Sequence, residues 1–283
     1  MKTRVFTVCV VVFLFCGITH AGLSDGLVAY YPFNGNANDE SGHGYNGTIN
    51  GANFVSGKID QAINFNGNSY VSYNGQFAFN NQHGDATLTF WIKTSHFNHG
   101  TVFWTRGDSP DYNRFNLYVD IAANGSSAII FDYRSPSGAL HEIGFINFSA
   151  STWTHIAFNR IGNTYSLYKN GIFVSSMTDT IPDLPNSSNW GISGWSDNRY
   201  IGIIDDTRIY SRALSASEIQ QLYQGQDTCS KEVVKFTAGT PAKAVEVNAN
   251  FDALNCQIQV LNSQLQALKA IVCKNDPTAS VCQ

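Results

Sequence analysis

Short apolar stretches separated by turn-forming residues recur over residues 27–210, and this repetition constrains the fold more than any other feature of the chain. Apolar runs of about 4 to 8 residues between clusters of Gly, Asn, Asp and Ser are typical of an all-β sandwich. Asn170 and Gly171 both tolerate positive φ, so they predict a two-residue hairpin. Examples of the predicted strands are 27–33, 62–65, 70–73, 87–93, 115–120, 128–133, 154–160, 165–169, 172–175 and 200–210.

A single short helix is expected after the last strand. Glu218 follows Ser215 by three residues, and this capping-box pattern predicts a helix N-terminus ahead of Ile219, Leu222 and Tyr223. The helix closes the β-domain, which we place at residues 22–224.

The first 21 residues have the pattern of a signal peptide. Lys2 and Arg4 precede an apolar run over residues 5–15, and the run ends in a small-x-small pattern at Thr19 and Ala21. We expect cleavage after Ala21 and a secreted protein. The run is shorter than the ~20 residues that cross a bilayer, so no membrane span is expected.

Charge excludes one class of partner. Charged residues make up 13% of the chain, about half of the roughly 25% found in ordinary globular proteins. Without Lys2 and Arg4, 15 basic residues stand against 21 acidic ones. A mildly acidic domain of this kind is a poor candidate for nucleic acid and a fair one for divalent cations.

Three segments resemble a known family: GLVAYYPFNGNAND at 26–39, WTHIA at 153–157 with LYKNG at 167–171, and GIIDDTRIYSRALS at 202–215. Together they resemble the laminin G-like branch of the concanavalin A-like lectin/glucanase superfamily. The resemblance implies an antiparallel two-sheet jelly roll with one concave face, often a structural calcium ion, and carbohydrate or protein binding outside cells. Fold alone does not name the ligand.

Asp205 is the first candidate metal ligand. Strict strand alternation puts Asp206 and Arg208 on one face and leaves Asp205 on the other without a basic neighbour. A buried unpaired carboxylate needs backbone donors or a cation. The oxygen-rich loop with Asn34, Asn36 and Asp39 is the expected second half of a calcium site. In the alternative, Asp39 only forms a turn and Asp205 accepts backbone N–H groups.

Aromatic residues are the candidate sugar-binding groups, because an aromatic face packs on pyranose C–H groups. We expect most of Trp104, Tyr112, Tyr133, Trp190, Trp195 and Tyr200 to lie in the core. Trp195 is the preferred exception, since it begins a short polar loop that ends at Arg199. Asp108, Tyr112 and Arg199 are weaker candidates.

The acidic residues do not favour catalysis. A retaining glycosidase holds two carboxyl groups ~5 to 5.5 Å apart, and the ExDxE signature of glucanases is absent. Glu142 stands alone in its segment, and Asp108 and Asp111 lie in a loop with a proline. We therefore expect a non-catalytic glycan-binding or adhesion protein. The alternatives are a structural surface-assembly subunit and a weak glycoside hydrolase.

A different pattern follows residue 224. We expect a linker over 225–240 and a helical tail over 241–283, which also resembles short helical segments of phage-tail-fibre and bacterial surface proteins. Polar e and g positions favour a homo-oligomeric coiled coil, with a trimer preferred. In the alternative, the helix packs on the sandwich of its own chain. The a and d positions are Val247, Phe251, Leu254, Ile258, Leu261, Leu265, Leu268 and Val272.

The four cysteines that remain after cleavage all lie in this part of the chain: Cys229, Cys256, Cys273 and Cys282. On a helix, Cys256 and Cys273 are roughly 25 Å apart, too far for a disulfide. We expect Cys229 to pair with Cys256 and Cys273 with Cys282. Free or intermolecular thiols are the alternative.

Overall fold

The computed structural model describes residues 22–74, 84–97, 99–106, 114–121, 127–134, 140–178, 189–194 and 199–225. These residues form fifteen strands and one helix, α1 (Ala216–Tyr223). The strands are β1 (Leu27–Tyr31), β2 (Gly47–Asn50), β3 (Asn53–Ser56), β4 (Gln61–Asn66), β5 (Tyr70–Asn74), β6 (Ala86–Lys93), β7 (Gly100–Arg106), β8 (Arg114–Ile121), β9 (Ser127–Arg134), β10 (Leu140–Asn147), β11 (Thr154–Ile161), β12 (Thr164–Lys169), β13 (Ile172–Thr178), β14 (Asn189–Ile192) and β15 (Ile201–Tyr210).

The strands form two antiparallel sheets, as the sequence predicts. The first sheet has the order β13-β12-β11-β6-β15-β4-β3, and β1 also pairs with β15. The second sheet has the order β10-β9-β8-β7-β14-β5-β2. The chain is thus an all-β sandwich with a short helix.

The core lies between the sheets because alternate residues of each strand point inward. In β6, Leu88, Phe90 and Ile92 are buried in this core. Tyr73 and Trp190 stack within it with ring centroids 3.8 Å apart. Tyr200 is also in the core, so the expectation that most strand aromatics are structural is confirmed for these residues.

Strand β15 organises the first sheet. One edge pairs with β6, and the other pairs first with β4 and then with β1. A bulge interrupts β15 between Asp205 and Arg208, where Asp206 has a φ of 45°. The bulge breaks the strict alternation assumed from the sequence, because Asp205 pairs with Trp91 and Arg208 with Thr89 on the same outer face.

The bulge holds a buried ion pair. Arg208 donates to Asp206 across 3.0 Å, and the two side chains are 5% and 4% exposed. The predicted pairing of these two residues is therefore confirmed. The guanidinium of Arg208 also lies 4.2 Å from the ring centre of Tyr30, which links β15 to β1.

The hairpin turn and the helix cap predicted near the end of the domain are also confirmed. Asn170 and Gly171 have φ of 51° and 76° in the turn between β12 and β13. Ser215 and Glu218 form the reciprocal capping box of α1. Ile219 and Leu222 of α1 pack with Tyr168 and Tyr210 on the outer face of the first sheet.

Several predictions lie outside the described residues. These are the signal peptide over 1–21, the linker and coiled coil beyond residue 225, and all four tail cysteines. Within the described part of the chain, no helix is long and apolar enough to cross a membrane.

Replacing Ser215 with Ala should lower the free energy of unfolding by about 1 kcal/mol, because the cap hydroxyl is lost. Chemical denaturation of the mature protein measures this. Ser217→Ala is the comparison, since it removes only the 3.0 Å contact between the Ser217 and Ser215 hydroxyls and leaves both capping-box contacts in place. Equal effects of the two substitutions would contradict a stabilising role of the cap.

Candidate functional site

The outer face of the second sheet carries a row of polar and aromatic side chains. In β8, Phe115, Leu117 and Val119 point into the core. Alternation therefore directs Asn116, Tyr118 and Asp120 outward. We call this surface, with its neighbours on β9 and β10, the Tyr118 face.

Strand pairing brings two further carboxylates to the Tyr118 face. Asp132 of β9 pairs with Asn116 on one side and with Glu142 of β10 on the other. Directly opposite residues have Cβ atoms about 4.5 to 5.5 Å apart. Asp132 is 7% exposed, whereas Glu142 is open to solvent. Glu142 is the only acidic residue of its own strand, but strand pairing sets Asp132 of another strand opposite it.

Tyr118 lies at the centre of these charges. Burial raises its pKa to about 12, and the negative charges of Asp132, Glu142 and Asp120 contribute. The phenol therefore stays protonated at physiological pH and can act as a hydrogen-bond donor. The ring is partly exposed and packs with Ile130.

His99 completes one end of the face. Its ring lies 4.5 Å from that of Tyr118, and its Nδ1 is 2.8 Å from a carboxylate oxygen of Asp120. The side chains of His99 and Asp120 are 52% and 30% exposed, respectively. An incoming ligand can therefore reach aromatic rings, a phenol donor and carboxylate acceptors together.

The predicted Trp195 loop emerges beside this end. Trp195 itself lies outside the described residues, but both described ends of the loop contact Thr101, the partner of Tyr118 on β7. Gly194 donates its N–H to the carbonyl of Thr101 at 3.0 Å, and Arg199 forms an isolated β-bridge with Thr101.

Arg199 is held in place at this edge. Its guanidinium lies 4.8 Å from the ring centre of Tyr70, and Nη1 donates to the carbonyl of Asn68 at 2.6 Å. The backbone of this predicted ligand residue therefore lies beside β7, but its guanidinium points toward β5 and away from β8, and one of its donors is already used.

Asp108 and Tyr112 belong to a loop outside the described residues. That loop leaves from Arg106 and returns at Arg114, the opposite end of β7 and β8. Seven residues of strand span about 20 Å. The described residues that flank this loop therefore lie at the end of β7 opposite to Thr101, which bridges Arg199.

Trp104 lies on the outer face but is only 8% exposed. It packs so closely on Gly191 of β14 that a Cβ there would lie 2.7 Å from the indole. Because Gly191 has no side chain, the indole of Trp104 packs directly on the backbone of β14. Little of the Trp104 ring is therefore exposed to solvent.

Asp205 is fully buried on the first sheet. Its Oδ2 accepts the backbone N–H groups of Lys58 and Ile59 at 2.7 and 2.9 Å. Its Oδ1 has no hydrogen-bond partner within the described part of the chain. Burial raises the pKa of Asp205 to about 7, and the charge of Asp206 adds to this while the N–H of Ile59 opposes it.

Asp39 has a different environment. Its carboxylate accepts N–H groups from Tyr30, Ser41 and Tyr45. Burial opposes ionisation, but these bonds outweigh it and hold the pKa below its usual value. Asp39 therefore closes its own loop onto β1, as the non-metal alternative expected.

The two asparagines also accept backbone N–H groups. Asn34 accepts from Gln61 at 3.0 Å, and Asn36 accepts from Asn38 at 2.8 Å. Asn34 and Asp205 thus hold opposite ends of the turn between β3 and β4.

A calcium ion fits this region only in part. The buried Oδ1 of Asp205 is a suitable ligand, and carbonyl oxygens commonly complete such sites. Among the described residues, however, no group of three His, Cys, Asp or Glu side chains is arranged to hold a metal. Calcium at Asp205, with Asn34, Asn36 and Asp39 as further ligands, therefore stays a prediction.

Two stacked antiparallel sheets with this outer face define a lectin-type sandwich. A family model of laminin G type, described as the concanavalin A-like lectin/glucanases superfamily, matches residues 65–220. The chain therefore belongs to this superfamily, and the resemblance noted in its sequence is confirmed. A search of the curated proteins finds no match.

Solved structures with the same fold include domain 4 of an extracellular arabinanase from Geobacillus stearothermophilus in complex with arabinotriose. It is 24% identical, with a TM-score of 0.58 over 70% of this chain and 98% of that one. The binding domain of Paraclostridial Mosquitocidal Protein 1 is 19% identical, with a TM-score of 0.57 over 71% of this chain and 52% of that one. The botulinum neurotoxin serotype G binding domain is 18% identical, with a TM-score of 0.54 over 76% and 54%. The chain thus spans about half of each toxin domain, and these likenesses show the fold.

Asp205→Asn tests the calcium prediction through pH. Without calcium, the unfolded chain releases this proton near pH 4 and the folded chain keeps it to about pH 7. The folded state then binds more protons, so stability falls as pH rises between these values. In chelator, Asp205→Asn should remove this fall in melting temperature, while Asp60→Asn in the same turn should not.

Excess calcium should raise the melting temperature of the wild type, but not that of Asp205→Asn, at pH 7. A bound ion at ~100 times its Kd adds about 2.7 kcal/mol to the free energy of unfolding. Identical wild-type melting temperatures in calcium and in chelator would exclude the site.

Proposed function

We propose that the mature chain is a secreted, non-catalytic carbohydrate-binding protein and that its binding site is the Tyr118 face. The observation that carries the proposal is the grouping of Tyr118 with His99, Asp120, Asp132 and Glu142 on one open sheet surface. Sugar recognition requires an apolar ring face and several hydrogen-bonding groups side by side.

Each side chain has a role in this proposal. The rings of Tyr118 and His99 contact the C–H groups of a pyranose or furanose. The phenol donates to a ring or hydroxyl oxygen, and the carboxylates of Asp120 and Glu142 accept hydroxyl protons. Trp195 stays a further candidate for contact with the sugar on the basis of the sequence alone.

The comparisons support a binding role in general terms. One protein of the same fold is a domain of a sugar-degrading enzyme in complex with arabinotriose, and others are binding domains of toxins. The signal-peptide pattern and the predicted disulfides favour an extracellular site of action. A structural calcium ion at Asp205 would stabilise the first sheet, on the opposite side of the sandwich.

One observation favours a second candidate, a weak glycoside hydrolase. Asp132 and Glu142 occupy directly paired positions, and a pair of carboxyl groups is the minimum that a retaining glycosidase needs. Glu142 is open to solvent, however, whereas a glycosidase acid is commonly held in a partly desolvated pocket. Binding without turnover is therefore the better-supported function.

A glycan array probed with the mature protein tests the proposal. We expect binding to a defined set of oligosaccharides. Tyr118→Ala should weaken binding to the strongest of these about tenfold, equivalent to ~1.4 kcal/mol. Glu142→Gln should weaken it by a smaller factor, because one acceptor is changed and the ring remains.

The control is Glu40→Gln, an exposed acidic residue outside the Tyr118 face. It should leave binding unchanged. Retained affinity in Tyr118→Ala would place the site elsewhere. Turnover of a bound oligosaccharide that disappears in Glu142→Gln would establish the hydrolase, and absence of any binding would favour the structural subunit.

A further inference from the structure

Strand β13 exposes an apolar patch at the edge of the first sheet. Ile172, Phe173 and Val174 are consecutive, and their exposed fractions are 68%, 53% and 45%. Ile172 and Phe173 lie on opposite faces of the strand, because Ile172 pairs with Lys169, whose ammonium donates to the carbonyl of Asn147 on the second sheet, whereas Phe173 pairs with Tyr168. Phe173 packs edge-on against Tyr168 with ring centroids 5.7 Å apart, so it lies on the outer face that α1 also covers. We call these three residues the β13 patch.

β13 is the terminal strand of its sheet, and within the described residues only β12 pairs with it. Apolar residues on an open edge strand promote association unless a helix, a loop or charges protect them. Contiguous exposed apolar residues therefore mark a contact surface.

The described part of the chain ends close to the β13 patch. Gln220 of α1 lies against Gly171, the residue that precedes β13, so closely that a Cβ on Gly171 would clash with it. The helix ends at Tyr223, and the described chain ends two residues later at Gly225. The chain that follows therefore begins within a few residues of the patch.

The remaining 58 residues contain a segment suited to cover it. The sequence leaves two alternatives for the apolar stripe from Val247 to Val272: it forms a coiled coil, or it packs on the sandwich. Residues 226–246 can span up to about 70 Å at ~3.3 Å per residue, so the stripe can reach the patch without strain.

We infer that the β13 patch is the docking surface for the apolar stripe of residues 247–272 of the same chain. The stripe supplies a long apolar face and the patch supplies an uncovered one beside the chain exit. The helix layer begun by α1 is thereby extended over the edge of the first sheet, and β13 is no longer an open edge.

Hydrogen exchange of the full mature chain tests this inference. We expect a monomer by light scattering, with amides of residues 251–268 protected. Phe173→Asp should reduce that protection at least tenfold, while amides of β6 and β11 keep theirs. Ile172→Asp should have a smaller effect, because Ile172 lies on the other face of the strand. Ser176→Asp, an exposed position on the same strand, should leave the tail amides protected.

A variant with changes in the tail tests the same contact and leaves the sequence of β13 intact. Ile258→Asp combined with Leu261→Asp should speed exchange in β13 and leave β6 unchanged. Protection of 251–268 that survives both patch substitutions would overturn the inference. It would also be overturned by an unprotected wild-type tail, or by an oligomer whose tail protection rises with protein concentration, the result expected of the coiled coil.

Discussion

The bulge in β15 is the constraint on which the first sheet depends. This central strand must pair with β6 on one edge and with β4 and β1 in turn on the other. The extra residue at Asp206 places Asp205 and Arg208 on one face, where each makes a separate connection. Asp205 fixes the turn before β4, and Arg208 packs on Tyr30 of β1. Loss of the bulge would break both.

A buried histidine close to Arg208 also helps to hold α1 on the first sheet. His155 is buried between Trp91 and Tyr223, with ring centroids 5.2 and 6.2 Å away. Burial and the charge of Arg208 lower its pKa to about 3, so it remains neutral above that pH. A neutral imidazole lets the aromatic end of α1 pack over the sheet, while the second sheet keeps an open outer face for a ligand.

Local signals in the sequence predicted much of the fold. The hairpin at Asn170 and Gly171, the cap at Ser215 and long strands such as β6, β11 and β15 each depend on residues close in the chain. The long strands β7 and β10 were not among the strands named from the sequence. Short strands such as β2 and β14 carry too few residues for a periodic pattern. The bulge was missed because it depends on what β15 pairs with. The pairing of Asp132 with Glu142 was missed for the same reason, since strand register is a tertiary property.

The central claim is that the Tyr118 face binds carbohydrate. Chemical-shift mapping of the isotope-labelled mature protein, titrated with the oligosaccharide that binds most strongly, tests it residue by residue. We expect shifts to concentrate in β8, β9 and β10 around Tyr118 and to extend to Thr101, the partner of Tyr118 on β7. Shifts confined to the outer face of the first sheet, around Lys93 and Trp153, would contradict the claim.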